Sequence, residues 1–75
     1  MLIIYYKTDG EIYRVSTGYR NLEEFFGTRI KEYEQIFDYI YTDFNEFVFR
    51  NYFNFVVKEN KLVPDDSIKD MFALT

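Results

Sequence analysis

The sequence contains no cysteine and no histidine. Disulfide bonds are therefore excluded, and so are the metal sites and nucleophile–base pairs that depend on thiol or imidazole groups. A domain of 75 residues buries only about 60% of the surface that its unfolded chain exposes, and small domains often need such cross-links. This chain has to rely instead on a rich core or on self-association.

Glycine, proline and serine are also scarce. The three glycines and one proline cannot form a glycine-rich phosphate loop. The two serines, Ser16 and Ser67, lie at a strand end and in a predicted helix cap, with no base to activate them. Adjacent carboxylates at 23–24 and 65–66 are placed to cap helices rather than to act as acid and base. We therefore expect no enzyme activity, no cofactor and no metal ion.

Basic residues are outnumbered, with nine lysines and arginines against 13 acidic residues and a net charge of −4. Because binding to a phosphate backbone needs a basic face, direct nucleic-acid binding is not expected. No apolar run approaches the roughly 18 residues of a membrane helix, and the first residues lack the features of a signal peptide. We expect a cytoplasmic protein that binds no membrane, and its acidic balance favours a protein partner with a basic surface.

Aromatic residues are abundant, with nine Phe and eight Tyr making up 23% of the chain. Each buried ring removes roughly 150–250 Å² from water, so a single domain over residues 1–75 can be stable without cross-links. So small an interior cannot enclose every ring, and clusters of exposed rings are typical of binding surfaces.

The N-terminal residues predict a β-hairpin. Residues 2–7 are β-branched and aromatic, Asp9-Gly10 is a turn pair that tolerates positive φ, and residues 11–16 return as the second strand. Tyr5 and Tyr13 are expected to lie across the hairpin from each other. If this first strand lies at the edge of the sheet, its apolar residues could pair with another chain; they are Ile3, Ile4, Tyr5 and Tyr6.

The next segment predicts a short helix. Asn21 followed by Glu24 matches a capping box, and Leu22, Phe25 and Phe26 have helical spacing. Gly27 is placed to end this helix with positive φ.

Two interpretations fit the middle of the chain. Strand-forming residues that alternate favour a short helix or turn through Glu34 and then a strand over residues 35–42. The alternative is one helix over residues 28–41, because apolar residues there also recur every three or four positions.

The remaining residues predict a bend with a helical turn over 43–52 and a second hairpin. Its strands are 53–58 and 61–63, its turn is Glu59-Asn60, and Pro64 ends the ladder. Apolar residues at 68, 71 and 72 predict a C-terminal amphipathic helix. The fold class is therefore α+β, with a small antiparallel sheet of about four to five strands, two hairpins and short helices.

The candidate binding site lies in the aromatic and acidic segment 33–52. Its Phe side chains are expected to form the core, whereas tyrosines can give contact area and keep a polar end. Neighbouring carboxylates would attract a basic partner. The predicted partner-binding residues are Tyr39, Tyr41, Asp38, Asp43 and Glu46.

Three stretches of the sequence resemble short open reading frames of phages and prophages of Gram-positive bacteria. They are residues 1–12, which include the hairpin motif KTDGEI, and residues 43–48 and 57–63. The resemblance implies a virus-encoded accessory protein and carries no catalytic residues. In that setting we expect an inhibitor that binds and occludes a host protein, such as a defence or nucleic-acid-processing enzyme. The alternative is a structural or assembly protein that forms a homo-oligomer or part of a virion.

Overall fold

The computed structural model of the protein describes residues 1–65 and shows an α+β fold. Three strands, β1 Leu2–Tyr6, β2 Ile12–Ser16 and β3 Phe37–Tyr41, form one antiparallel sheet in the order β2-β1-β3, and two more, β4 Phe55–Lys58 and β5 Lys61–Pro64, form a separate hairpin. Within the described residues no helix has the length and apolar character needed to cross a membrane. The elements in chain order are β1 Leu2–Tyr6, β2 Ile12–Ser16, α1 Leu22–Phe26, a 3-10 turn Gly27–Arg29, α2 Ile30–Tyr33, β3 Phe37–Tyr41, α3 Glu46–Arg50, a 3-10 turn Tyr52–Asn54, β4 Phe55–Lys58 and β5 Lys61–Pro64.

Strand β1 is the centre of the sheet and is buried on both of its faces. Leu2 and Ile4 face the layer of α1 and α2, whereas Ile3 and Tyr5 face the layer of α3 and the β4-β5 hairpin. The side chains of Leu2, Ile3 and Ile4 are completely buried. A continuous apolar run, without alternating polar residues, is typical of a strand covered on both sides.

The central position of β1 corrects the prediction of a free edge at Ile3, Ile4, Tyr5 and Tyr6. These residues pair with β3 along their whole length, and the first three also pair with β2. Both sides of the strand are therefore occupied, and no further strand can be added there.

The first hairpin is confirmed, but its turn and its register differ from the prediction. Only Gly10 has positive φ, at 78°, whereas the Asp9 carboxylate accepts a hydrogen bond from the Glu11 N–H at 2.9 Å. A bulge shifts the register so that Tyr5 lies opposite Ile12. The expected contact between Tyr5 and Tyr13 is therefore wrong, and Tyr13 packs on Tyr6 instead, with ring centroids 5.9 Å apart.

The predicted end signals of helix α1 are confirmed. The Asn21 side chain accepts a hydrogen bond from the Glu24 N–H at 2.9 Å, and the Glu24 carboxylate accepts one from the Arg20 N–H at 2.9 Å. Gly27 follows the helix with a φ of 61°. Local polar groups thus satisfy backbone donors that a five-residue helix would otherwise leave unpaired.

In the middle of the chain the strand interpretation is confirmed and the alternative of one helix over residues 28–41 is wrong. Helix α2 stops at Tyr33, and residues 37–41 pair with β1 in a continuous antiparallel register. The bend over residues 43–52 is also confirmed, because Asn45 caps α3 by accepting a hydrogen bond from the Val48 N–H at 3.1 Å.

The second hairpin and its turn are confirmed, with Glu59 and Asn60 at φ values of 53° and 63°. Its first strand begins at Phe55 and not at residue 53, because residues 52–54 form a 3-10 turn, and Pro64 is the last residue of the ladder, opposite Phe55. Its strands do not continue the first sheet, so the expectation of a single sheet of four to five strands is wrong. The two sheets meet at one bridge between Glu11 and Val56, beside a hydrogen bond of 2.8 Å from the Val57 N–H to the Gly10 carbonyl oxygen. The predicted helix around residues 68–72 lies outside the described residues.

Replacement of Gly10 tests whether this junction holds the two sheets together. A Cβ at residue 10 would overlap the Val57 carbonyl group, and the positive φ would strain any larger residue. We expect Gly10→Ala to lower the free energy of unfolding by at least about 2 kcal/mol, measured by urea denaturation. Gly18→Ala is the matched control, because no atom lies within 4 Å of its added Cβ. Equal stability of the two variants would contradict the role of the junction.

Candidate protein-binding site

Exposed aromatic side chains flank helix α3. Phe44 and Phe47 are 57% and 56% exposed, and Phe49, whose ring contacts Phe44, is 36% exposed. We call these three residues the α3 aromatic surface. Tyr41, 58% exposed, lies on the other face of the sheet, because it pairs with Leu2, which faces α1 and α2. Phe53, 68% exposed, lies in the 3-10 turn that follows α3. The prediction that the Phe side chains of this segment form the core is wrong for Phe44, Phe47 and Phe49, and holds for Phe37, which is buried.

Helix α3 exposes its phenylalanines because it is too short to bury them. Val48 points into the core, and its neighbours Phe47 and Phe49 are turned by about 100° to either side of it. The Phe47 ring packs edge-on against Phe55 at 6.1 Å, and the Phe49 ring contacts Phe44 at 5.7 Å. These contacts hold the rings in place and leave their outer faces in water.

A cleft of about 640 Å³ lies next to the α3 aromatic surface, between the end of β3, the start of α3 and the turn of the second hairpin. Its apolar residues are Met1, Ile40, Val48 and Leu62, and further lining residues are Tyr41, Thr42, Asp43, Phe44, Asn45, Asn60 and Lys61. The cleft therefore has a mixed lining of apolar and polar residues, which is suited to receive a side chain with an apolar body and a polar end.

The five predicted partner-binding residues do not form one site. Tyr41 and Asp43 both line the cleft. Tyr39 lies on the same face of β3 as Tyr41 but borders a different hollow, between the β3 strand and the α1–α2 layer. Asp38 lies on the opposite face of the strand from both tyrosines, because side chains alternate along a strand. Glu46 lies on α3.

Two of the three predicted carboxylates already have partners within the protein. Asp38 accepts a hydrogen bond from the Tyr39 N–H at 2.8 Å. Glu46 forms an ion pair with Arg50, with an oxygen–nitrogen distance of 2.9 Å. Among residues 1–65 no charged group pairs with Asp43, so Asp43 is the carboxylate best placed to meet a cation from outside.

Most of the other aromatic rings form a buried cluster on the opposite side of the sheet. Phe37 is its centre, with Tyr13 at 4.5 Å and Tyr6 at 4.8 Å, and Phe26 stacks on Tyr33 at 4.3 Å. These rings close the space between the sheet and the α1–α2 layer. Phe37 is buried and the rings around it are partly buried, so their main contacts are within the fold.

Sequence reasoning missed Phe44 and Phe47 as site residues. The signal was present, because Asn45 is a helix cap and only one of the three consecutive apolar residues 47–49 can face the core from one helical turn. Within the described part of the chain no cluster of three or more carboxylates could hold a metal ion.

Tyr5 links the core to Asp38 and provides a test of this geometry. Burial raises the pKa of Tyr5, and the charge of Asp38 and a hydrogen bond to its carboxylate raise it further. Above the ordinary Tyr pKa of about 10, the unfolded chain releases this proton before the folded chain does. The folded protein then binds more protons, so its stability falls as pH rises.

We expect Tyr5→Phe to remove this part of the pH dependence. The free energy of unfolding should then fall less steeply above about pH 10, by at most about 1.4 kcal/mol per pH unit. Urea denaturation between pH 8 and 11 measures the slope, with Tyr41→Phe as the control at an exposed ring. Identical slopes for both variants would show that Tyr5 does not contribute.

No protein-family model, curated protein or solved structure matches this chain. Its function therefore has to be inferred from its own surface. On that surface the rings of Phe44 and Phe47 each make one ring contact and leave more than half of their area in water.

Proposed function

We propose that this protein is a non-catalytic protein-binding module and that the α3 aromatic surface with its adjoining cleft is the interface. The observation that carries the proposal is the exposure of Phe44 and Phe47, each by more than half. Together with Phe49 these rings expose on the order of 300 Å², taking about 200 Å² for a ring. Exposed apolar area of this size on a small domain is often part of a binding surface.

Apolar contact supplies most of the binding energy in this proposal. Exposed rings that enter pockets of a partner are the usual energetic centre of an interface, and a polar rim excludes water around them. Asp43 at the cleft favours a basic group on the partner, in keeping with the net charge of −4. Asp38 and Glu46 contribute less, because each is already engaged within the protein.

The resemblance of residues 1–12 to phage and prophage proteins supports a viral setting for this module. In that setting we propose an inhibitor that covers a working surface of a host protein in the host cytoplasm. The second candidate is an assembly protein that binds copies of itself. The outer edge of β3, which has no strand beside it in residues 1–65, favours that alternative.

The proposal is tested with the purified full-length chain as bait in a lysate of the cells that carry the gene. We expect the unchanged chain to retain one stoichiometric protein, and Phe44→Ala/Phe47→Ala to lose it. Binding of that purified protein should weaken by at least tenfold, because each exposed anchor ring contributes about 1–2 kcal/mol. Isothermal titration measures the change.

Tyr19→Ala is the matched control, because Tyr19 is an exposed ring away from α3, in contact with Phe25. The Phe44→Ala/Phe47→Ala variant loses the ring contacts to Phe49 and Phe55, so we expect its melting temperature to fall by roughly 5–15 °C. Circular dichroism at 25 °C should still show the folded spectrum of the parent chain. Retention of the same protein by Phe44→Ala/Phe47→Ala, or its equal loss with Tyr19→Ala, would overturn the proposal.

A further inference from the structure

The outer edge of β3 carries backbone groups that have no strand beside them in residues 1–65. The Thr42 N–H donates to the Met1 carbonyl oxygen at 3.0 Å, and the Lys7 N–H donates to the Ile36 carbonyl oxygen at 3.0 Å. Because hydrogen-bonding direction alternates along an antiparallel strand, residues 36, 38, 40 and 42 face β1. The N–H and C=O groups of Phe37, Tyr39 and Tyr41 therefore point outward.

The other three strand edges of the described fold are covered or protected against pairing. Strand β4 is joined to the first hairpin by the Glu11–Val56 bridge. Strand β5 carries Lys61 and Pro64, a charge and a residue without an N–H group. Strand β2 carries Arg14, and the bridge from Glu11 to Val56 covers its beginning. Strand β3 has no proline, lysine or arginine, and its single charged residue is Asp38.

Asp38 partly closes this edge. Its carboxylate accepts the outward-pointing N–H of Tyr39, the middle residue of β3, at 2.8 Å. An incoming strand would have to displace the carboxylate to pair with Tyr39. The edge is thus protected by one exchangeable hydrogen bond rather than by a residue that cannot pair.

We propose that β3 is a self-pairing edge, on which β3 of a second copy of this chain adds in antiparallel orientation with Tyr39 opposite Tyr39. This register uses all three outward-pointing residues, because Phe37 then lies opposite Tyr41 of the second copy. It forms about six backbone hydrogen bonds and one continuous row of aromatic side chains.

The charges of the strand select a second copy in this register. Asp38 lies opposite Ile40 of the second copy, so no two like charges face each other. A register centred on Asp38 would oppose the two carboxylates. A register centred on Ile40 would set Phe37 against Asp43 and shorten the aromatic row. Pairing covers Tyr39, which is 37% exposed, as well as Tyr41, and it does not depend on the function proposed for the α3 aromatic surface.

Cysteine cross-linking tests the register directly, because the chain has no cysteine of its own. With Tyr39 opposite Tyr39, the Cα atoms of two Tyr39→Cys copies lie about 5.5 Å apart, within disulfide range. Those of two Tyr41→Cys copies lie about 14 Å apart, beyond it. We expect mild oxidation to convert Tyr39→Cys to a dimer at least tenfold faster than Tyr41→Cys, as followed on non-reducing gels.

Removal of the Asp38 carboxylate tests the closing of the edge. We expect Asp38→Ala to raise the dimer association constant about tenfold. In this variant no internal hydrogen bond to the Tyr39 N–H has to break before a second strand pairs with it. Sedimentation equilibrium of the full chain measures the constant, with Asp43→Ala as a control outside the pairing register.

Equal cross-linking of the two cysteine variants, or none, would overturn the proposed register and show that another segment or another protein occupies the edge. An association constant that does not change in Asp38→Ala would overturn the role of Asp38. Phe44→Ala/Phe47→Ala should leave cross-linking at residue 39 unchanged, which separates this interface from the one on α3.

Discussion

The burial of β1 from both sides is the constraint on which the rest of the structure depends. Leu2 and Ile4 hold the layer of α1 and α2 to the sheet, whereas Ile3 and Tyr5 hold α3 and the second hairpin. Each fully buried aliphatic side chain stabilises the fold by about 1.5–3 kcal/mol. In a domain without disulfide bonds, this one strand replaces the cross-links that small folds commonly use.

The two layers differ in how they use their aromatic residues. On one side of the sheet the rings pack into the core, and on the other side several rings remain exposed to solvent. On the α1–α2 side, rings from four elements pack around the buried Phe37, so the tyrosines there are partly buried and contribute to the packing. The layer on the other side is made by a five-residue helix and a short hairpin. Such a layer buries Val48 and Val57 and partly buries Phe55, but it leaves Phe47 and Phe49 exposed. The exposed surface is therefore a product of the shortness of α3.

Features that depend on neighbouring residues could be predicted from the sequence, and features that depend on layering could not. Helix caps and tight turns depend only on residues at most four positions apart in the chain. The predicted caps at Asn21 and Gly27 and the predicted turn at Glu59-Asn60 are of this kind, and all three are confirmed. The central position of β1 and the division into two sheets depend on residues far apart in the chain. The candidate site shares this limit, since Phe44 is exposed only because no layer covers α3.

Because of the junction between Gly10 and Val57, the second hairpin can lose its order before the first sheet does. A two-stranded hairpin alone is at best marginally stable in water, so β4 and β5 stay ordered through their attachment to the first hairpin and the core. Loss of that attachment frees the second hairpin while β1 remains paired on both sides. Segments of low local stability open most often in native proteins. The cleft, one wall of which is the turn of this hairpin, is thus the part of the molecule most easily reshaped by whatever enters it.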